Sequence, residues 1–228
     1  MGARWKAPRW KAPALALVAA ASASLAACRE SSWTKPEVDR ARIQVVAEKL
    51  AIKTGPVGEP KWRKQATYAL VEARNTTGED VMVTLGGELK DEARHSAWPL
   101  RRESLRVPAG GTRLFALVDQ DQAERPQATG ARIEVAGAVT VGYAPPVIVT
   151  DGRVVMDEDR AVAAGYVVNT AEREGSAVVI GAFFDQSGRP LKSTSTVFLL
   201  AGGGKRGVQL VGPPGSRSAY LFIGEVNY

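Results

Sequence analysis

Residues 110–117, Gly-Gly-Thr-Arg-Leu-Phe-Ala-Leu, are a double-glycine turn running into an apolar stretch, and residues 203–210, Gly-Gly-Lys-Arg-Gly-Val-Gln-Leu, repeat that pattern. The echo extends outward. Ala73-Arg74-Asn75-Thr76 returns as Val167-Val168-Asn169-Thr170, Val81-Met82-Val83 as Ala177-Val178-Val179-Ile180, and Pro99-Leu100 as Pro190-Leu191. The offset is 94 residues at Asn75, 91 at Pro99 and 93 at Gly110, and each half closes on a tyrosine, Tyr143 and Tyr228. Matches in one order at nearly one spacing imply two similar domains. The junction falls near Ala144-Pro145-Pro146, where two prolines favour extended, stiff backbone. The first half carries extra residues around 119–129.

Each half reads as β-structure. Strand-like stretches lie at 43–52, 66–74, 80–89, 113–118, 132–143, 146–150, 161–168, 177–184, 193–200, 207–211 and 219–226. Many alternate apolar and polar residues, as in Val81-Met82-Val83-Thr84-Leu85, and Gly, Pro, Asn and Asp clusters separate them. Short strands punctuated this regularly specify a sandwich or barrel. The sequence therefore predicts an all-β chain of two tandem immunoglobulin-like sandwiches, at 41–144 and 145–228, after a signal peptide at 1–27 and a polar tether at 28–40.

The N-terminus supplies the signal. Residues 1–13 hold Arg4, Lys6, Arg9 and Lys11 and no acid, and residues 14–27 hold no charge. A basic segment followed by a short apolar run and small residues is the pattern of an export signal. The run is 14 residues long, short of the ~20 that a bilayer-spanning helix needs. It ends in Leu25-Ala26-Ala27-Cys28, which resembles the lipobox of bacterial lipoproteins. That resemblance implies cleavage before Cys28 and acylation of its sulfur, and hence a membrane anchor. Glu30, where a retention Asp would stand in enteric inner-membrane lipoproteins, implies the outer membrane and a periplasmic location.

Charge is misleading until the signal is removed. The formal +6 includes the four positives of residues 1–13, and the remaining 26 basic and 24 acidic residues leave +2. That balance gives no phosphate-binding stripe, so no nucleic acid is expected as a partner.

The stretch Asn169, 178–184, Asp185-Gln186-Ser187-Gly188-Arg189-Pro190-Leu191 and 201–206 is similar to the FxLYD-type immunoglobulin-like domain of secreted bacterial proteins. An Asn-containing turn, a D-x-x-G hairpin and a glycine turn before the next strand recur in that family. The first half matches more loosely, with Lys90-Asp91-Glu92-Ala93-Arg94 in place of the D-x-x-G hairpin. The resemblance implies fold, and folds of this kind host many functions.

Catalytic constellations are thin. His95 is the sole histidine and Cys28 the sole cysteine, so a nucleophilic triad would have to be built on His95. No G-x-S-x-G elbow occurs, and Gly202-Gly203-Gly204-Lys205 lacks phosphate-loop spacing. Zinc fails by ligand count. For calcium, Asp119, Asp121 and Glu124 form the better of two acidic clusters, the other being Asp157-Glu158-Asp159, and solvated turns are the reading preferred for both. Trp33, Trp62 and Trp98 are candidates for exposed contact residues, Trp98 above all. The expectation is a non-enzymatic, lipid-anchored envelope protein without a cofactor, acting as a scaffold or binding component for an envelope protein partner. The alternative is a calcium- or saccharide-binding envelope module.

Overall fold

Apolar and polar residues that alternate along the chain can bury one face of a strand and wet the other, and twelve strands are built this way. In a computed structural model of the protein, residues 36–58, 63–91, 93 and 96–228 are described. The signal peptide, Cys28, Trp33, Trp62 and His95 lie outside them. The first six strands are β1 Ile43–Val57, β2 Lys64–Asn75, β3 Val81–Asp91, β4 Ser96–Val107, β5 Thr112–Val118 and β6 Gly130–Thr140. The second six are β7 Val147–Asp157, β8 Arg160–Asn169, β9 Gly175–Phe184, β10 Pro190–Leu200, β11 Lys205–Val211 and β12 Ser218–Asn227.

The pairings repeat as the sequence does. The first half forms the sheets β1-β2-β5 and β4-β3-β6, and the second forms β7-β8-β11 and β10-β9-β12. All pairings within these sheets are antiparallel. The chain is all-β, two tandem β-sandwiches.

Strand β4 was not among the expected stretches. Its sequence, SAWPLRRESLRV, carries four charges and a proline and exposes much of its surface. The β3–β4 register holds it in place, with a shift between Leu85 and Gly87. Trp98 therefore stands on a strand opposite Leu89. At the other end, residues read as tether are already joined to the body. The Val38 N–H donates to the Ala138 carbonyl at 2.9 Å, and Glu37 bridges to Val139 on the edge strand β6.

One turn is built twice, atom for atom. Asn75 ends β2 fully buried, and its Nδ2 reaches the carbonyls of Glu79, Val107 and Pro108 while its Oδ1 accepts the Thr77 N–H. Asn169 ends β8 and repeats the set with Arg173, Leu200, Ala201 and the Ala171 N–H. The following threonines match too: Thr76 bonds the Arg42 carbonyl and Thr170 the Pro146 carbonyl. A short amide that can donate and accept at once is what a buried crossover turn requires. The D-x-x-G hairpin of the second half also forms, with the Asp185 carboxylate accepting the Ser187 and Arg189 N–H groups and Gly188 at φ +76°.

The halves are welded through sheet faces. Asn75, Val71 and Ala69 point to the interior of their own sandwich, so Leu70 and, opposite Glu72, Leu114 face outward from β1-β2-β5. Both are nonetheless buried, in one cluster with Ile180, Ala182, Phe184 and Phe222 from β9 and β12. A second cluster around Val179, Phe183 and Leu210 fills the interior of the second sandwich alone.

Candidate functional site

Welding on one side leaves the other side open where the halves meet. Past β6 the chain runs through Val141, whose N–H donates to the Asp80 carbonyl, to Tyr143 and then Pro145-Pro146. Arg106 on β4 braces this exit. Its Nε donates to Asp80 Oδ2 at 2.8 Å, its Nη2 to the Tyr143 carbonyl at 2.7 Å, and its guanidinium lies 5.7 Å from the Tyr143 ring centroid. Partial burial pushes the Asp80 carboxyl upward, but hydrogen bonds from the Ala109 N–H and Arg106, with the charges of Arg106 and Arg113, outweigh it and hold it below the usual range.

The opposite wall belongs to the second half. Arg173, from the turn that Asn169 organises, lies 4.4 Å from the Tyr228 ring centroid, and Tyr228 donates its hydroxyl proton to Asn169 Oδ1 at 3.1 Å. Gly175 makes room for that ring, since a Cβ there would come within 2.6 Å of it. Between the walls is a cleft of about 780 Å³ bordered by Met82, Tyr143, Pro145 and Pro146 on one side and Ile223, Val226 and Tyr228 on the other. Its surface is mostly apolar, with Ser104, Arg106, Arg173 and Glu225 as polar groups. The two tyrosines that close the repeats thus meet in one cleft, 56% and 44% exposed, each with an arginine over its ring. A shaped apolar surface with a few placed polar groups is the ordinary form of a binding site.

The residues singled out from sequence lie elsewhere. Asp119 is fully buried and accepts the Asp121 and Ala123 N–H groups, and Arg125 spans Asp119 at 3.0 Å and Asp121 at 2.8 Å. The loop therefore carries its own cation where calcium would have to sit, and Glu124 points to solvent outside the pair. Arg125 also lies 5.5 Å from the Trp98 ring centroid. Trp98 is half-buried against the first core. His95 and Cys28, outside the described residues, have no assigned place.

A second group escaped the sequence reading. Glu103 on β4 points inward, and its Oε2 accepts the Ala116 N–H of β5 at 2.7 Å, bridging the seam between the two sheets. Burial pushes its carboxyl up to about 7, with the Ala116 hydrogen bond opposing. It borders a shallow cavity of about 220 Å³ with Arg101, Arg102 and Val118.

No family model matches this chain, and no curated protein matches it. Among solved structures, a DUF1425 family member from Shewanella sp. pv-4 is similar over 38% of this chain and 85% of its own, at 15% identity and a TM-score of 0.33. Red sea bream transglutaminase is similar over 75% of this chain, which spans 28% of that enzyme, at 17% identity and a TM-score of 0.24. The N-terminal CBM22-1–CBM22-2 tandem domain of Paenibacillus barcinonensis Xyn10C covers 85% of this chain and 87% of its own, at 9% identity and a TM-score of 0.15. Likeness at this level does not bear on the activity of this chain. Among the described residues no helix is long and apolar enough to cross a membrane.

Proposed function

We propose that this is a lipid-anchored, non-catalytic envelope protein that holds an extended polypeptide partner in the cleft between its two sandwiches. The observation that supports this reading is the cleft itself. Both repeats contribute a tyrosine and an arginine to it, around an apolar lining broad enough for several side chains. Both of its arginines are committed to structure, Arg106 to Asp80 and Arg173 to the Tyr228 ring. Binding chemistry is what such a surface offers. Acylation at Cys28 would keep the site near one membrane. Pro36 stands eight positions after Cys28, a reach of at most about 28 Å, and confinement of that kind raises the effective concentration for partners on the same surface. Glu30 in place of a retention Asp favours the outer membrane, facing the periplasm, as that surface.

Exposed tyrosine rings also suit stacking on a saccharide, the second reading. One experiment separates the two. Affinity purification of the lipidated chain from solubilised membranes should recover an equimolar polypeptide, and the double variant Met82→Glu, Tyr143→Ser should lose it while melting at the wild-type temperature. A chain recovered alone, or a partner indifferent to that variant, removes the polypeptide reading. Retention on an envelope glycan that the same variant abolishes would install the saccharide.

A further inference from the structure

The internal repeat identifies a second surface. In the first half the outer face of β1-β2-β5 is covered by the outer face of β10-β9-β12, where Ile180, Phe184 and Phe222 bury Leu70 and Leu114. Two outer faces remain, and they differ. The outer face of β4-β3-β6 carries Thr84, Glu88 and Arg132 and turns Met82 and Ser104 to the cleft. The outer face of β7-β8-β11 is mixed. It carries Val155, Ala164, Tyr166 and Val211 in register across three strands, among Arg153, Gln209 and Lys205, whose Nζ lies 4.0 Å from the Tyr166 ring centroid. Val155 is 51% exposed, Val211 45% and Tyr166 41%. Gly207 stands beside Tyr166 with open space over its Cα, and a groove of about 300 Å³ runs past Ala164, Tyr166 and Gly207.

We propose that this face pairs with the same face of a second copy about a two-fold axis. A head-to-tail filament would need an apolar face of the β10-β9-β12 kind at the other end, and the corresponding face of the first half is polar; self-pairing closes the assembly instead. The charges choose the orientation. Arg153 is in register with Ala164, and Asp151 lies at the bulge beside the Tyr166 row, 3.6 Å from Lys205. With the axis in the plane of the sheet and running across its strands, between the rows of Ala164 and Tyr166, the rows are exchanged between copies. Tyr166 then covers Ala164 of the second copy, and Asp151 meets Arg153 on both sides of the axis. The footprint is small. Three strands ~4.8 Å apart and seven residues at ~3.3 Å each give roughly 300 Å² per copy, against ~800 Å² for a standard interface. Pairing is therefore weak in dilute solution and populated when copies share a membrane. That confinement comes from the anchor reading; the orientation of the pair does not.

The test places p-benzoylphenylalanine at position 166 in the full chain and irradiates intact membranes from cells expressing two differently tagged copies. The expected product joins the two tags, and its cross-linked peptide contains Ala164. Arg153→Asp alone and Asp151→Arg alone should each lower the yield of homotypic product at least ten-fold. One tag carrying Arg153→Asp together with the other carrying Asp151→Arg should restore product between the tags, because every contact is again between opposite charges. Failure to cross-link, a product with another polypeptide or with lipid in place of the second copy, or charge variants that neither lose nor exchange pairing would each overturn the proposal. Soluble yield and melting temperature of the single variants check that folding is intact, as both positions are exposed.

Discussion

At the scale of single residues, a buried amide and a half-buried carboxylate govern the sandwiches in opposite ways. Asn169 bonds the Arg173 and Leu200 carbonyls and the Ala171 N–H and shares the Ala201 carbonyl with the Gly204 N–H, so removing it strips the turn of its side-chain partner. An unsatisfied buried group costs about 1–3 kcal/mol, and Asn169→Ala should lower stability by about 3 kcal/mol, read from the denaturant midpoint; Asn75→Ala should behave alike, because its bonds are the same. Glu103 is destabilising when charged. Its carboxyl titrates near 7 in the folded protein, against an ordinary value of 4.5, so between those values the folded state binds the extra proton. Stability from this group is complete below about pH 4.5, falls as pH rises towards 7, and is constant above. Glu103→Gln keeps an acceptor for the Ala116 N–H and removes the charge. The variant should gain on wild type steadily between pH 5 and 7.5 in thermal melts, and parallel curves across that range would refute the assignment. Asn75 and Asn169 were legible as a repeated turn signal. Glu103 was not, because nothing in a run of charges shows which one faces inward.

At the scale of elements, the sequence reads well wherever a strand alternates and fails wherever register is set by a neighbour. Strand β4 is the instructive case: Pro99, Arg101, Arg102 and Glu103 erase its periodicity, and it exists because β3 offers it a ladder to Trp98 and beyond. The same pair hides a bulge. Gly87 adopts φ +149°, and a Cβ there would fall 2.0 Å from the Arg132 carbonyl oxygen of β6. Backbone cannot yield as a flexible side-chain tip would, so Gly87→Ala should cost about 3 kcal/mol or more, from a strained φ and a displaced strand. Gly137, on the facing strand, would place a Cβ 3.8 Å from Thr84, an ordinary contact. Gly137→Ala is the control and should be neutral or slightly stabilising. Equal losses at the two positions would mean that strand content, and not the bulge, is what the glycines serve. The acidic loop after β5 shows a different limit. Its carboxylates were visible as a cluster, whereas their partner Arg125 became visible only when the loop closed on itself and on Trp98.

At the scale of the whole molecule, the repeat predicted two domains, and the pairing of the twelve strands repeats as it should. What the repeat could not convey is that one domain's outer face is the other's core. Val178, Ile180, Tyr220 and Phe222 alternate as any strand does, and an outward apolar residue reads the same whether water, a partner or a sister domain covers it. The consequence is thermodynamic. Independent domains unfold in two transitions, whereas domains sharing a buried cluster lose part of their own core when the neighbour melts, so this chain should unfold in a single calorimetric transition with equal calorimetric and van't Hoff enthalpies. Phe222→Ala tests the coupling directly. Phe222 is 2% exposed, within the cluster that holds Leu70 and Leu114, and truncating a buried phenylalanine costs about 3–5 kcal/mol. Because the lost contacts belong to both halves, amide exchange should quicken at Leu70 and Leu114 on β2 and β5 as much as at Ile180 on β9. Loss of protection confined to the second half would mean that the weld contributes little, and that the two sandwiches are neighbours held by the linker alone.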